Sequence, residues 1–461
     1  MNGHLRGRDF RLLTLSAGLS SLGDELALIA LTIKVADLFD SGWAVAALLL
    51  CGVVPLVIFA PAAGVIVDNF ETRRSLAIAT ALQAGLAVGL AFTNELPMIL
   101  MLSFLLGTAS AVENPSIYTL VPRVVGDDHA TEGNAYLEAA RYTGMIAGPV
   151  LAGSLAAGVG TRTALLVDAG TFVVIAVAAA LMRVRRAVVE ETRAEEAAAR
   201  KGFRVIRGDR VLLVGFAVIG AVILFAAMDN VAEIFFATDT LGAGDWGYGL
   251  LASAWLVGMV GGATLIGRRL QDGRLLWSMA GAAVVNGAAV FAAAALANFP
   301  LAIALFVVGG LANGVETVAM RSLIVHRVAD RFRGRAFASY GALVNGMQIG
   351  ATAAAGAIVA GLGGRAALLI GGAGTAMAGV AGLIASRQLD RREARVEPDE
   401  AVAEETVREV TLPDSPATPE AEEAVPVAMS ESADGVDGST PHRPDITRLP
   451  ESEPVQPVAD S

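Results

Sequence analysis

The sequence predicts an all-α membrane protein with twelve transmembrane helices in two pseudo-symmetric six-helix bundles. The chain of 461 residues is 54% hydrophobic and only 17% charged, which is too apolar for a soluble protein of this size. Runs of about 20 apolar residues, enough to cross a bilayer core of ~30 Å as a helix, recur until residue 386. The two halves also resemble each other in sequence.

Charged residues bound twelve apolar runs and divide the chain into four parts. The predicted spans are 12–33, 44–67, 75–94, 98–121, 133–157, 163–182, 211–238, 246–267, 275–297, 300–325, 336–361 and 364–386. The predicted parts are an N-terminal bundle (1–182), a cytoplasmic linker (183–210), a C-terminal bundle (211–386) and a tail (387–461).

The distribution of Lys and Arg indicates the orientation of the spans. Short cytoplasmic loops of membrane proteins carry the excess of these residues, and nine fall in the linker alone. With both termini in the cytoplasm, the opposite side holds only Lys34, Arg162 and Arg365. We therefore expect a multi-pass protein of the bacterial cell (inner) membrane with both termini cytoplasmic.

The net charge of −11 comes from the tail. Residues 397–461 contain 17 acidic and 3 basic residues, a net of −14, which leaves +3 for the rest. Ten of the 17 prolines also lie there. Such a segment buries too little apolar surface to fold, so we expect a disordered acidic tail.

An internal repeat at an offset near 203 residues relates the two halves. It aligns Glu113 with Glu316 and Arg162 with Arg365, and both residue types are rare inside apolar spans. Paired repeats with a binding site at their interface are the architecture of alternating-access carriers.

The loop after the second span reads GVIVDNFETRRS (64–75). It resembles the G-x-x-x-D-R-x-G-R-R loop of the major facilitator superfamily, and it departs from that pattern at Asn69, Glu71 and Thr72. The resemblance implies the major facilitator fold and a conformational latch between helices. The latch residues would be Gly64, Asp68, Arg73 and Arg74.

The fifth span reads GMIAGPVLAG (144–153) and is similar to the G-x-x-x-G-P-x-x-x-G pattern of the superfamily's exporters. The residues concerned are Gly144, Gly148, Pro149 and Gly153. Ordinary packing of small residues explains the spacing equally well. Longer stretches, 118–153 and 328–351, are similar to the branch of bacterial macrolide-efflux proteins and the enterobactin exporter, which implies efflux.

Ionisable residues inside a membrane span are costly unless they meet a partner or water, so each is a candidate for function. Glu113 and Arg141 fall at similar depth on consecutive spans, which predicts an intramembrane ion pair. Glu316 has no cation at the equivalent place, although Arg321 lies five residues on. A carboxylate with neutral partners favours its protonated form, so we consider Glu316 a proton-coupling candidate.

Two further pairs of acids are proton-coupling candidates. Asp24 and Glu25 lie near the middle of the first span, unless that helix begins later and leaves them near the interface. Asp229 and Glu233 are four residues apart on one face of the seventh span. They either share a proton or mark the wet outer end of the span.

The remaining polar and aromatic residues suit an amphiphilic organic substrate. The candidates for substrate binding are Asn114, Tyr118, Tyr142, Phe225, Trp255, Asn313, Asn345 and Gln348. Cys51 is the only cysteine and the four histidines lie far apart, so we expect no metal site and no cofactor. The sequence contains no G-x-x-x-x-G-K-[ST] run and no assembly of nucleophile and base, so neither an ATPase nor an enzyme is predicted.

Together these features predict a proton-coupled antiporter that exports a drug-like molecule or a secondary metabolite by alternating access. Its partners would be the small-molecule substrate, protons and membrane lipid, with no nucleic acid, and it would act as a monomer. The alternatives are a lysophospholipid flippase, an uptake permease, or a transporter-like scaffold or sensor that recruits a partner through the acidic tail.

Overall fold

The computed structural model describes residues 7–59, 62, 70–183 and 209–410. Within these ranges the chain forms twelve α-helices, short 3-10 and π turns, and no strand. The helices are α1 (Arg8–Phe39), α2 (Gly42–Ile58), α3 (Thr72–Phe92), α4 (Leu96–Val125), α5 (Ala130–Val159), α6 (Thr161–Leu181), α7 (Arg210–Phe235), α8 (Gly244–Gly261), α9 (Leu275–Leu296), α10 (Phe299–Arg327), α11 (Asp330–Leu362) and α12 (Gly364–Val410).

The predicted fold class is confirmed. Among the described residues, ten helices are long and apolar enough to cross a membrane. Of the other two, α2 is apolar but has 17 residues, whereas α1 has 32 residues and includes Asp24, Glu25, Lys34 and Asp37. Since α1 begins at Arg8, Asp24 and Glu25 lie in the middle of the helix and not near its start.

The last helix is longer than the predicted span. The sequence placed its end at 386 and the start of the tail at 387, but α12 continues to Val410. Glu and Arg are the commonest residues of this extension, with six and five of its 24 positions, and both are good helix formers, so helix propensity extends the segment beyond its apolar part. The rest of the predicted disordered tail, 411–461, and linker residues 184–208 lie outside the described residues.

The three cations predicted on the side opposite the termini each contact a helix end or an aromatic ring. Lys34 donates from Nζ to the carbonyls of Leu90 (2.8 Å) and Thr93 (2.6 Å) at the end of α3. Arg365 binds the last carbonyls of α9 in the same way, and Arg162 stacks on Phe92. Cations are favourable at helix C-termini, so Lys34 and Arg365 have a structural reason to lie there.

We call the end of the molecule where α1 begins the near end, and the opposite end the far end. The two halves contact each other at the far end. There α5 packs against α8 where a Cβ on Gly249 would lie 2.2 Å from the Pro149 carbonyl oxygen. The helices α2 and α11 likewise meet where a Cβ on Gly42 would lie 2.8 Å from Val359.

Two open cavities lie at the near end. One, of about 670 Å³, lies between α10 and α11. The other, of about 460 Å³, lies between α1 and α5 and has a mostly apolar lining that includes Leu15, Leu19 and Leu22. The conformation is therefore closed between the halves at the far end and has open cavities at the near end.

Candidate functional site

A buried carboxylate in the first half is held by a neutral amide. Glu113 on α4 is fully buried, and Gln83 on α3 donates from Nε2 to Glu113 Oε2 at 2.8 Å and to Ser110 Oγ at 3.0 Å. The hydroxyl of Ser20 on α1 also faces this carboxylate. Glu113 Oε1 has no hydrogen-bond partner among the described residues, so the site has room for one more proton or donor.

Two more acids lie close to Glu113. Asp168 on α6 is fully buried, and both Glu113 and Asp24 are within electrostatic range of it. Asp168 packs against Gly23, where an added Cβ would lie 2.6 Å from Asp168 Oδ1. Asp24, on the neighbouring position of α1, has Glu113, Glu25 and Arg141 as its charged neighbours. We name Asp24, Glu113 and Asp168 the acid cluster.

Arg141 is the cation nearest to the acid cluster, but it does not form the predicted ion pair with Glu113. Its Nη1 donates to Asn114 Oδ1 at 3.3 Å, and its guanidinium lies 5.3 Å from the centre of the Tyr118 ring. Tyr118 in turn donates to Glu138. Arg141 thus acts on Glu113 only at longer range, and Gln83 is the side chain that donates to the carboxylate.

The second half repeats the arrangement of amide and carboxylate. Glu316 on α10 is fully buried and accepts a hydrogen bond from Asn286 Nδ2 on α9 at 3.1 Å, while Asn313 also faces it. The hydrogen-bonding neighbours of Glu316 are therefore two amide side chains. At the offset of 203, Gln83 aligns with Asn286 and Glu113 with Glu316. Sequence reasoning offered Asn286 only as a possible substrate contact and missed Gln83, although this offset could have paired each amide with its carboxylate.

The acids of α7 lie near the contact between the halves. Asp229 and Glu233 each have a buried oxygen without a hydrogen-bond partner among the described residues, and they are electrostatic neighbours. Glu233 also neighbours Tyr248 on α8, whose hydroxyl faces Thr32 on α1. Glu25 is a further charged neighbour of Tyr248. Tyr248 therefore lies between acids of the two halves, and no sequence pattern marked it.

The glycines of the exporter-type pattern allow other helices to approach α5 closely. A Cβ on Gly144 or Gly148 would collide with α1, in the latter case 2.6 Å from Glu25 Cβ. A Cβ on Gly153 would lie 2.5 Å from the Asp245 carbonyl oxygen of α8. Pro149 lies between them and is buried. These positions are therefore contact points of α5 with α1 and with the other half.

A hydroxyl from the second half is hydrogen-bonded to the backbone of α5 beside Pro149. Ser253 Oγ on α8 accepts from the Val150 N–H at 3.1 Å and donates to the Ile146 carbonyl at 2.9 Å. In a regular α-helix the N–H of residue 150 donates to the carbonyl of residue 146. Ser253 thus binds both members of a helical hydrogen-bond pair across the boundary between the halves.

The arginines of the predicted latch bind within their own half. Arg73 and Arg74 pair with Glu71 at 3.2 Å and 2.9 Å, and Arg73 also donates to the Met182 carbonyl at the end of α6 at 2.7 Å. Gly64 and Asp68 lie outside the described residues. Glu71, at a position where the resemblance expected glycine, is thus an acidic partner for the arginines.

The predicted substrate-binding residues divide into four groups. Phe225 and Trp255 pack inside the second half, against Gly374 and against Gly309 with Phe306. Gln348 bonds within α11. Asn345 lines the larger cavity. The remaining candidates lie beside the buried carboxylates and Arg141: Asn114, Tyr118, Tyr142 and Asn313.

Comparisons with known proteins agree with the architecture. A family profile described as Major Facilitator Superfamily matches residues 13–285. The uncharacterized MFS-type transporter y4rN of Sinorhizobium fredii (strain NBRC 101917 / NGR234) is 28% identical over 339 residues, which cover 70% of this chain and 82% of that protein.

Solved transporter structures share the fold at low sequence identity. The nucleoside transporter NupG superposes with a TM-score of 0.68 at 14% identity, covering 82% of this chain and 98% of that one. A bacterial homologue of the iron transporter ferroportin, in an inward-facing state, gives a TM-score of 0.64 at 15% identity, with coverages of 82% and 98%. At such identities the likeness concerns the fold alone.

Proposed function

Since the chain belongs to the Major Facilitator Superfamily and is a multi-pass membrane transporter of that type, we propose that it exports an amphiphilic organic molecule in exchange for protons. The excess of Lys and Arg at the near end supports a cytoplasmic location for that end and for both termini. Similarity of residues 118–153 to macrolide-efflux proteins and the enterobactin exporter supports export.

The observation that carries the proposal is the acid cluster. Three carboxyl groups, those of Asp24, Glu113 and Asp168, lie within electrostatic range of one another. Arg141 is the cation among their charged neighbours. Carboxylates that crowd together away from water resist being ionised all at once. The cluster is therefore suited to hold and release a proton, and Asp24, which is half-buried, is its most accessible member.

Alternating access supplies the coupling. In the proposed cycle the conformation that is open at the near end binds substrate from the cytoplasm and releases a proton there. The far-end contacts between α5 and α8 and between α2 and α11 then open. Protons then bind the acids from the far side, and the protonated carrier returns to the conformation that is open at the near end. Glu25, Glu316 and the pair of Asp229 and Glu233 are further sites at which this cycle could carry protons.

The test uses everted membrane vesicles from a bacterial strain that lacks its own efflux pumps. A susceptibility panel on cells expressing the protein selects the compound to which resistance rises most. Adding this compound to respiring vesicles should release part of the proton gradient, measured with acridine orange. We expect Asp24→Asn to abolish the release, Glu316→Gln to reduce it, and Glu95→Gln, at the exposed start of α4, to leave it unchanged.

Two results would contradict the proposal. Full proton release in both Asp24→Asn and Glu316→Gln would remove these acids from the coupling. Absence of substrate-induced proton movement in the wild type, with every compound to which it confers resistance, would exclude proton exchange itself.

A further inference from the structure

The larger near-end cavity contains a single charged side chain, and that side chain is an arginine. Arg321 lines the cavity together with Thr317 on α10 and Phe337, Tyr340 and Asn345 on α11. The rest of the lining, Gly341 and Val344, is uncharged. The volume of about 670 Å³ is within the range of sites that bind small organic ligands.

Arg321 has no acidic partner among the described residues. It lies six residues before Arg327, the last residue of α10, and so about 9 Å inside the helix end. None of the ion pairs of the described residues involves it. The nearest acid on the helix, Glu316, is fully buried and bonded to Asn286. An arginine at this depth needs a counter-charge or water, and its side chain is exposed to the cavity.

The first half handles the equivalent positions differently. At the offset of 203, Arg321 aligns with Tyr118 and Val344 aligns with Arg141. In the first half the cation therefore comes from α5, where Arg141 is bonded to Asn114 and stacked on Tyr118. In the second half the cation is Arg321 on α10, and the described residues give it neither an amide hydrogen bond nor a stacked aromatic ring. The pseudo-symmetric repeat thus produces one arginine engaged in the protein and one directed to the cavity.

We propose that the cavity binds the anionic group of the transported molecule, a carboxylate or a phosphate ester on an amphiphilic body. Arginine binds such groups through two parallel N–H bonds. The hydroxyl of Tyr340, which neighbours Arg321, and the amide of Asn345 supply further donors, and the Phe337 ring supplies an apolar wall. That the bound molecule is the transported substrate rests on the proposed function. Binding of the anionic group does not depend on proton coupling.

The test is an equilibrium binding measurement with the purified full chain in nanodiscs of neutral phosphatidylcholine. The probes are 11-(dansylamino)undecanoic acid and its uncharged methyl ester, and the signal is dansyl emission excited through the protein's tryptophans. We expect the acid to bind at least about tenfold more tightly than the ester, since hydrogen bonds to charged groups favour binding by about that factor or more. Competition by lysophosphatidylglycerol or by water-soluble 2-naphthoic acid then distinguishes a lipid from a free organic acid as the source of the anion.

Variants assign the preference to the arginine. Arg321→Ala should remove the preference for the acid and leave ester binding unchanged, whereas Arg321→Lys should keep part of it. Arg391→Ala, an exposed arginine of α12 outside the cavity, is the control and should behave as the wild type. If Arg321→Ala does not fold, Asn345→Leu should weaken binding of the acid more than binding of the ester.

Equal binding of acid and ester by the wild type, or an unchanged preference in Arg321→Ala, would overturn the proposal. Because no proton gradient is present, these results are separable from those of the vesicle assay. Charge-selective binding without proton exchange would support the anion site and contradict the antiport. Proton exchange without charge-selective binding would support the antiport and contradict the anion site.

Discussion

The close contact of α5 with α8 should control the balance between the two conformations, and Gly249→Ala tests this. A Cβ on Gly249 would lie 2.2 Å from the Pro149 carbonyl oxygen and 3.2 Å from Gly153 Cα. To reach an ordinary contact of about 3.3 Å, the two backbones must separate by roughly 1 Å. Overpacking of this kind costs about 1–3 kcal/mol. It destabilises only the conformation that is closed at the far end, because α5 and α8 are in contact there.

The expected result is a shift toward the conformation that is open at the far end. A change of about 2 kcal/mol alters the ratio of the two conformations by roughly 30-fold. The reporter is Val359→Cys in a Cys51→Ser background, because Val359 is 5% exposed where α11 meets α2. We expect Gly249→Ala to raise the rate of labelling of this cysteine by a maleimide by about tenfold or more.

A matched substitution separates this effect from a general loss of stability. A Cβ on Gly281 of α9 would have nothing within 4 Å, so Gly281→Ala should leave the labelling rate unchanged. The reasoning is refuted if Gly249→Ala labels at the wild-type rate, or if both alanine variants accelerate labelling equally.

Three further predictions concern stability in detergent, measured as the midpoint of thermal unfolding against the wild type. Gln83→Leu and Asn286→Leu should each destabilise the protein by about 1–3 kcal/mol, because each removes one amide donor from a buried carboxylate; a large effect in only one half would contradict an equivalent role for the pair. Lys34→Met should lower the midpoint by freeing two carbonyls at the end of α3, and an unchanged midpoint would show that water replaces the ammonium group there. Ser253→Ala should change the midpoint little, by less than about 1 kcal/mol, because its two backbone partners can bond to each other; a large loss would show that α5 cannot close this bond.

Much of the fold could be predicted because lipid imposes a simple pattern on sequence. Apolar length predicted the twelve helices, and the rarity of acids in those runs made Glu113 and Glu316 conspicuous. The sequence predicts the end of the last span at 386, but α12 continues to Val410. Hydropathy marks where the apolar segment ends, whereas the helix itself can continue through polar residues of high helix propensity.

The partners of the site residues were harder to predict. Glu113 and Arg141 were paired by depth alone, but depth does not determine the face of a helix or which neighbour arrives first, and Gln83 holds the carboxylate instead. Ser253 had no detectable signal, since a single serine in an apolar run is common and its contact is 103 residues away. Long-range pairing of this kind depends on how the halves meet.

The hydroxyl of Ser253 between Val150 and Ile146 has a consequence for the speed of transport. In the proposed cycle, opening of the far end separates Ser253 from Val150 and Ile146, whose amide and carbonyl are one helical turn apart and can bond to each other. Movement of the halves then replaces the hydrogen bonds to Ser253 by a hydrogen bond within α5, so that the Val150 amide and the Ile146 carbonyl keep a partner. A carrier built this way can cycle between its two shapes without a large energetic barrier at this point.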